Sequence, residues 1–595
     1  MSRTASALRA DSRTILFCSP RQWMAALVAG LAVGALAWPW YQQVSYWVGA
    51  VLLLMVITAC HMVFSSRLIV PFPHIAILIA GLQYTVAAWL SFYFPSAGLN
   101  YDIGLPSPEY LAPAATVTYD IGLQLPRYLA FGSGITIAVV FGWALAIYGA
   151  SGRPCPALSP SPKLLAELDG LFWFGLLCGL VARFVPSQGL GFLLLLCANL
   201  RYVGSLGRML VNGPGWQWRV ALTLVVEVLL AIEEGMFHAL LLWSVSVFAV
   251  YLYRFRPRPS VVTACICLGL LLLPALHESK WRLRQTTWDG DATESLDECL
   301  DSSARPVQIT FDWLWYLAEG LYEAATLSMD REFLADTIVR YNQGWIVNRV
   351  MNRVPSQEPY AKGETLVTAA KAALLPRLVA PQKYVAGGKL HMARFVGMEM
   401  EVTSMNLGYG GELYANFGFY GAIAGCFVYA ALLGLAFRWV ARRALRSPLW
   451  WVFLPYVGSI AFKAEDGVAE VLNWMVKATL VAAAVYLFSP ALRAALSAAP
   501  DALERRAPNA RPKPGLNRRL GTRAQRPQAI ARRIVTNARP LTTRQLTTGP
   551  LTTGPLTTGP LNTRLLTTHR RNTQAASLVA GPLEAAETLA ATKLT

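Results

Sequence analysis

The sequence predicts an all-α, polytopic integral membrane protein with about 12 transmembrane helices and one large, mostly helical loop outside the membrane. Of the 595 residues, 55% are hydrophobic and only 14% are charged. Soluble domains carry roughly 25% charged residues, so charge is depleted about twofold. Apolar stretches able to cross a ~30 Å hydrocarbon core recur from Gln22 onward. Only helices satisfy every backbone polar group there without water, so the spans are predicted to be α-helical.

The apolar stretches and the basic residues between them predict the topology. The candidate spans are residues 22–40, 44–64, 73–94, 128–149, 165–183, 187–204, 216–232, 235–253, 259–277, 413–437, 449–463 and 469–489. Lys and Arg concentrate in alternate loops, which places both termini in the cytoplasm of a bacterium and makes the protein multi-pass in the inner membrane. Residues 95–127 contain a near-repeat and several prolines, which predicts a partly embedded outer loop.

Composition divides the chain into four regions. Residues 1–277 form an N-terminal transmembrane bundle of about nine helices, and residues 278–412, called the polar segment below, form a periplasmic loop domain. Residues 413–490 form the C-terminal transmembrane helices. The polar segment holds 18 of the chain's 34 carboxylates and 14 Lys and Arg residues, which predicts a folded, mixed-charge unit. Apolar residues at helical spacing over 312–339 and an amphipathic stretch over 364–375 predict helices within it. Residues 491–595 are basic and low in complexity, with a pentamer repeated in tandem within 546–560, and are predicted to be a disordered cytoplasmic tail.

Several classes of function are excluded by pattern. The formal charge of +18 lies largely in the tail and in loops beside spans, so it indicates topology rather than nucleic-acid binding. The nine cysteines form no CxxC pair, and neither a metal site nor another cofactor is predicted. No Walker loop, HExxH or GxSxG pattern occurs, which argues against nucleotide-driven transport, zinc proteolysis and serine hydrolysis.

The strongest candidate for an anion site is the basic run 340–353. Arg349 and Arg353 are four residues apart, so on a helix they project from one face and present two guanidinium groups to a phosphate or pyrophosphate. Arg340 can join them through Gly344. Asparagine and glutamine side chains interleave with these arginines, and amides suit sugar hydroxyls. The alternative is that the arginines pair with carboxylates of the polar segment or with lipid phosphates.

Further candidate ligands for a pyrophosphate follow this run: Arg377, Lys383 and Arg394. His391 lies among them, three residues after Gly388, where glycine permits close approach of a ligand to the backbone. A histidine titrates near neutrality, so His391 is a candidate general base. The alternative is a solvated loop histidine without a catalytic role.

Glu412 and Asn416 mark the point where the chain re-enters the membrane. A carboxylate at this boundary costs free energy unless it is partnered or hydrated, so Glu412 either deprotonates an acceptor hydroxyl or pairs with an arginine. Asn416 is a secondary candidate for the site. The other secondary candidates are Glu234, His238 and Asp466, which lie in turns that the predicted topology places on the same outer face. We expect these turns to line one outward-facing cavity.

The chain resembles the Wzy-type polymerases of bacterial surface polysaccharides, also called O-antigen or oligosaccharide repeat-unit polymerases. The resemblance covers roughly residues 20–490. It is carried by the topology, the run 340–353, the turn 233–238 and the re-entry 411–418. It implies a metal-independent glycosyltransferase that joins undecaprenyl-pyrophosphate-linked oligosaccharides at the outer leaflet to build O-antigen or exopolysaccharide. The partners that it implies are this lipid-linked sugar, membrane lipids, and a chain-length regulator and a flippase of the same pathway.

The resemblance also implies roles for residues. Cations at Arg349 and Arg353, with Arg377 or Arg394, would neutralise the leaving pyrophosphate, and Glu412 or His391 would take the hydroxyl proton. Three alternatives stay open: an O-antigen-ligase-like transferase with the same donor, a transporter or flippase for the lipid-linked sugar, and a non-catalytic scaffold. A large outer segment and the lack of detectable inverted repeats argue against transport.

Overall fold

The protein is described by a computed structural model. It describes residues 46–66, 68–93, 125–148, 152–153, 155–156, 160–185, 188–234, 237–288, 305–326, 328, 331–375, 384, 388–399 and 405–497. Within these ranges the chain forms helices and turns, and no strand occurs. The first predicted span (22–40), most of the 95–127 segment, Arg377, Lys383 and nearly all of the predicted tail lie outside the described residues.

The first ten helices among the described residues build the N-terminal bundle. They are α1 (Tyr46–Ser65), α2 (Phe72–Gly81), α3 (Ala87–Tyr93), α4 (Leu125–Ile147), α5 (Pro162–Ala182), α6 (Gln188–Ala198), α7 (Leu200–Leu210), α8 (Trp216–Glu234), α9 (His238–Phe255) and α10 (Pro259–Trp288). A π-helical turn, Leu82–Val86, joins α2 to α3 within one span. Residues 259–288 form one continuous helix, so α10 extends beyond the predicted domain boundary at residue 277.

The polar segment and the C-terminal part supply eight more described helices. They are α11 (Arg305–Thr326), α12 (Arg331–Tyr341), α13 (Gly344–Arg353), α14 (Glu364–Leu374), α15 (Gly408–Ala444), α16 (Phe453–Gly458), α17 (Val468–Phe488) and α18 (Pro490–Ser497). A short helical turn, Lys389–His391, continues into the π-turn Met392–Val396. The structure contains helices in the two ranges, 312–339 and 364–375, where helical periodicity predicts them.

Nine helical segments among the described residues are long and apolar enough to cross a membrane. They are Tyr46–Val63, Phe72–Phe92, Leu125–Ile147, Pro162–Ala182, Gly189–Leu210, His238–Phe255, Pro259–Lys280, Gly408–Ala444 and Val468–Phe488. Two other predicted spans, residues 216–232 and 449–463, are helical but are not among these nine segments. Helix α8 contains Arg219, Glu227 and Glu233, and the apolar stretch Pro448–Phe462 is short. An α-helical, polytopic membrane architecture follows from these segments.

The centre of the bundle is the packing of α4 against α15. Small residues allow the two backbones to approach closely. A Cβ on Gly142 would collide with the carbonyl oxygen of Phe427, and a Cβ on Gly434 would lie 2.6 Å from that of Ala146. Aromatic rings fill the space around this contact, as where Trp143 and Phe437 meet edge to face. The packing of α4 against α15 fixes the position of the start of α15, where the candidate site lies.

Helix α15 contains a break at Gly418, whose φ of 70° and ψ of −167° are not helical. Glycine is suited to this position because its φ is positive and because the hydroxyl oxygen of Tyr360 would lie only 3.0 Å from a Cβ. The break separates the first turns of α15, residues 408–417, from the long apolar helix that follows. Those first turns can therefore carry polar residues across the end of the bundle.

The helical region extends past the predicted boundary at residue 490. Helix α18 begins at Pro490, and the carboxylate of Glu167 accepts hydrogen bonds from the N–H groups of Ala491 and Leu492 at 2.8 and 2.7 Å. A carboxylate stabilises a helix N-terminus by satisfying its unpaired N–H groups. Burial of Leu492 and Leu496 completes the contact. Residues 491–497 thus belong to the helical region rather than to the low-complexity tail.

Candidate functional site

Glu412 joins the starts of three helices. One carboxylate oxygen accepts a hydrogen bond from the hydroxyl of Thr365 on α14 at 2.8 Å, and the other accepts one from the N–H of Val468 on α17 at 2.7 Å. Only 1% of Glu412 is exposed. A buried carboxylate requires such partners, because burying it unpaired would be strongly unfavourable. In this structure Glu412 therefore holds α14, α15 and α17 together.

Asn416, one helical turn after Glu412, extends the same network. Its Nδ2 donates to the hydroxyl oxygen of Thr365 at 2.7 Å and to the carbonyl oxygen of Glu412 at 2.8 Å. Its Oδ1 accepts from the N–H of Gly363 at 2.8 Å. Every polar atom of the amide is paired, so the network orients the hydroxyl proton of Thr365 toward the carboxylate.

The π-turn in the second described span anchors the loop on the other side of Glu412. The hydroxyl of Tyr84 donates to the carbonyl oxygen of Ala464 at 2.6 Å and accepts from the N–H of Gly410 at 3.0 Å. The side chain of Gln83 accepts from the N–H of Ala464 at 3.1 Å. π-Turns within α-helices frequently mark functional sites. Here the turn fixes residues 463–467 against the start of α15.

The loop fixed in this way carries three charged residues. The ammonium group of Lys463 lies 3.3 Å from Asp466 and 3.6 Å from Glu465. Burial raises the pKa of Asp466 to about 6, although Lys463 opposes the shift. Burial would raise the pKa of Glu465 as well, but nearby cations outweigh it and the pKa is lowered. Two neighbouring carboxyl groups thus have pKa values displaced in opposite directions.

Arg340 and His238 lie near this charged loop. Arg340 is exposed and is close enough to Glu465 to help lower the pKa of that carboxyl group. His238, at the start of α9, interacts electrostatically with Lys463, Glu465 and Arg340. Two of the secondary candidates, His238 and Asp466, are thereby brought to one region. The side chain of Glu234, the remaining candidate in these turns, lies outside the described part of the structure.

His391 lies against Tyr384. The two rings stack with centroids 4.9 Å apart, and the hydroxyl of Tyr384 is 3.4 Å from Nδ1 of His391. Burial lowers the pKa of His391, and the neighbouring Arg394 lowers it further. Glu412 interacts electrostatically with Tyr384. The two predicted catalytic residues therefore both interact with Tyr384, His391 by direct contact and Glu412 electrostatically.

The predicted anion-binding arginines have different surroundings. Arg394 pairs with Glu358 at 2.6 Å and with Glu364 at 3.1 Å, which is the alternative that the sequence left open for the group. Arg353 instead donates to the carbonyl oxygen of Arg394 at 2.9 Å and to the amide oxygen of Gln357 at 3.0 Å. Within the described part of the chain, neither of these partners of Arg353 is a carboxylate, so its charge is not neutralised by them.

Arg349 and Arg353 both lie on α13, as their spacing predicts. The guanidinium of Arg349 lies 5.8 Å from the centroid of the Trp345 ring, within the range of a cation–π contact. Arg340 instead acts electrostatically on Glu465 and His238, so the structure does not bring Arg340 and Arg353 together through common described partners. The basic run 340–353 is thus divided between two parts of the site.

Three residues of the site have no signal in the sequence: Thr365, Tyr384 and Lys463. Thr365 lies in a predicted amphipathic helix without a motif, and Tyr384 is an isolated tyrosine between basic residues. Lys463 is distinguishable only as a cation at the end of an apolar stretch, where a charge is costly without partners. Among the described residues, no three His, Cys, Asp or Glu side chains form a group that can hold a metal ion.

The fold and the site define a polytopic α-helical membrane protein with a buried polar network at one end of its bundle. Comparisons of the chain with protein-family models, curated proteins and solved structures give no match.

Proposed function

We propose that the protein is a glycosyltransferase that polymerises undecaprenyl-pyrophosphate-linked oligosaccharide repeat units at the periplasmic face of the bacterial inner membrane. The observation that supports this best is that Tyr384 interacts with both His391 and Glu412. The guanidinium of Arg353 is bonded to the backbone of Arg394, three residues after His391, and its described partners are neutral. A base and an unneutralised cation are the two groups that transfer of a sugar from a pyrophosphate requires.

In the proposed step, the hydroxyl oxygen of the acceptor sugar attacks the anomeric carbon of the donor. The bond between that carbon and the pyrophosphate oxygen breaks, and the pyrophosphate leaves with its negative charge. Arg353 and Arg349 on α13 would stabilise this charge. The hydroxyl proton passes to a nitrogen of His391, whose lowered pKa keeps the imidazole neutral and able to accept it at pH 7. For Nε2 to be that nitrogen, Nδ1–H must donate to the oxygen of Tyr384.

In this proposal Glu412 positions the site, because both of its oxygens are already hydrogen-bonded and the side chain is buried. Its role as the base that deprotonates the acceptor stays a prediction that requires the network to open. Arg394 is engaged by two carboxylates and serves chiefly to lower the pKa of His391.

One observation favours a transporter of lipid-linked sugar as a second candidate. The span Gly189–Leu210 is interrupted at Asn199 between α6 and α7, and Arg201 just after the interruption pairs with Glu227 of α8. Interrupted helices and ionisable residues within spans are typical of transport sites. The pair is buried and close-packed, however, whereas the cluster around Tyr384 contains the half-buried His391.

The experiment that tests the proposal uses a strain in which the gene is deleted and complemented with wild type, Arg353→Ala or Arg349→Ala. Lipid-linked oligosaccharides and surface polymer are then resolved on gels. We expect single repeat units to reach the outer face and long polymer to be lost in the deletion and in both variants. Arg442→Ala, an exposed arginine near the other end of α15, is the matched control and should restore polymer.

Two other outcomes would contradict the polymerase. If full-length polymer accumulates on the lipid carrier, the protein is a ligase-like transferase with the same donor. If repeat units remain on the inner leaflet, it is a transporter, and the roles given to His391 and Arg353 are wrong.

A further inference from the structure

Helix α11 has apolar residues on two faces. One face is buried: Trp313 stacks on Phe237 with ring centroids 5.5 Å apart and an interplanar angle of 10°. The other face carries Phe311, Trp315 and Tyr322, which are 67%, 70% and 69% exposed. Steps of four and seven residues place these three rings in one stripe along the helix. We call Phe311, Trp315 and Tyr322 the aromatic stripe.

The position of α11 relative to the membrane follows from its packing on α10. Gly320 faces Ala275, whose Cα would lie 3.1 Å from a Cβ at that glycine. Tyr316, one turn earlier in α11, lies under the guanidinium of Arg282, almost two turns later in α10, at 5.6 Å. Arg282 also pairs with Glu319 at 2.6 Å. The two helices are therefore antiparallel, and their register is fixed at several points.

This register places the aromatic stripe at the end of a membrane span. Ala275 belongs to the candidate span Pro259–Lys280, and Arg282 lies just beyond it. At a rise of about 1.5 Å per residue, Tyr322 lies about 3 Å deeper than Gly320, and Trp315 lies about 7 Å further out. Tyr322 is thus level with the last turns of the span, and Trp315 is level with its end.

The surroundings of the stripe indicate what covers it. Only 11% of the span Pro259–Lys280 is buried within the described protein, and Leu268 and Leu270 of α10 are more than half exposed. In a membrane, lipid covers those leucines. The aromatic stripe continues this apolar surface to the level at which the span ends. Tyrosine and tryptophan are enriched at that depth, because their rings favour the boundary between acyl chains and headgroups.

We propose that the aromatic stripe of α11 is a lipid-binding surface that inserts at the acyl–headgroup boundary of the bilayer. The partner is phospholipid, and α11 is an interfacial helix rather than part of a water-exposed loop domain. The charged residues between α10 and α11 agree with this, because Arg282 pairs with both Glu278 and Glu319 at the flank of the helix. The inference does not rest on the proposed function.

The test places a photoreactive benzoylphenylalanine at position 315, 322 or 352 of the full chain, purified into nanodiscs of phosphatidylethanolamine and phosphatidylglycerol. Asn352 is the control, since it is exposed on α13 in the same polar segment. After irradiation, mass spectrometry measures covalent lipid adducts. We expect about tenfold more adduct at 315 and 322 than at 352.

Equal adduct formation at all three positions would overturn the inference, as would none at 315 and 322. Cross-links between two copies of the chain in place of lipid adducts would assign the stripe to a protein interface instead. A second measurement, a Trp315→Tyr substitution, preserves the chemistry of an interfacial ring and should leave adduct formation at position 322 within about twofold of wild type.

Discussion

The carboxylate of Glu412 accepts a hydrogen bond from the backbone N–H of Val468, the first residue of α17, at 2.7 Å. This places a carboxylate at a helix N-terminus, where unpaired N–H groups and the helix dipole favour negative charge. Because the other oxygen bonds Thr365 on α14, one side chain from the start of α15 positions two further helices. The candidate site is assembled around this contact.

Replacing Glu412 tests how much of the site depends on it. We expect Glu412→Ala to lower the free energy of unfolding by about 2–4 kcal/mol, because the buried donors of Thr365 and Val468 lose their acceptor. Glu412→Gln keeps one acceptor oxygen and should cost about half as much. The midpoint of thermal unfolding in detergent micelles measures both. Glu399→Ala, at an exposed carboxylate, is the control, and a loss as large as that of Glu412→Ala would contradict the structural role.

Part of this arrangement is predictable from the sequence. The spacing of Arg349 and Arg353 predicts one helix face, and the periodicity of residues 364–375 predicts α14, because helices are specified by local pattern. The pairing of Glu412 with Thr365 joins residues 47 positions apart, and no local pattern encodes it. The sequence also cannot decide which arginines are neutralised, because Glu358 and Glu364 reach Arg394 only through the fold.

The pKa of Asp466 predicts a dependence of stability on pH. Burial raises this pKa from its ordinary value of 3.8 to about 6, so the folded protein binds the proton more tightly than the unfolded chain does. The contribution of Asp466 to stability is therefore greatest below pH 3.8. It is lost as the pH rises toward 6 and is constant above that. Lys463, Glu465 and Glu470 are the charged groups that act on this carboxyl group.

Asp466→Asn should remove that dependence, because the amide is neutral at every pH. The measurement is the difference in unfolding midpoint between wild type and the variant from about pH 4 to about pH 7. We expect wild type to lose stability relative to Asp466→Asn as the pH rises through this window. Glu399→Gln makes the same change of charge at an exposed position and is the control for the effect of net charge alone. A flat difference for Asp466→Asn would show that the carboxyl group titrates normally.

The environment of His391 predicts how the activity of the proposed transferase falls as the pH is lowered. We call this fall the acid limb of the pH–activity profile. Burial and the charge of Arg394 lower the pKa of His391 below 6.5, whereas Glu364 acts in the opposite direction. Activity that depends on the neutral imidazole should fall only at a pH below 6.5. Polymer formation by purified protein on synthetic lipid-linked units, measured as a function of pH, gives this limb.

Two charge-neutral variants should move the limb in opposite directions. Arg394→Gln removes a cation and should raise the apparent pKa, and Glu364→Gln removes an anion and should lower it. A merely structural role for these residues would lower activity at every pH without moving the limb. Shifts of the same sign in both variants would contradict the assignment of His391 as the base.

The buried pair of Arg201 and Glu227 is expected to be strongly coupled. Both side chains are almost fully buried within helical segments of the bundle, and the hydroxyl of Tyr202 also donates to Glu227 at 2.9 Å. Arg201→Met leaves the carboxylate buried with Tyr202 as its remaining described donor, which should cost about 3–5 kcal/mol. The double variant Arg201→Met with Glu227→Leu removes both charges and should recover most of that loss, since uncharged side chains of similar size avoid the cost of burying ions.

The exposed pair of Arg183 and Glu233 gives the matched cycle, in which we expect a coupling of about 1 kcal/mol or less. Unfolding midpoints of the seven proteins (wild type, four single variants and two double variants) in one detergent measure both cycles, and equal coupling in the two would mean that the pair of Arg201 and Glu227 is hydrated rather than buried.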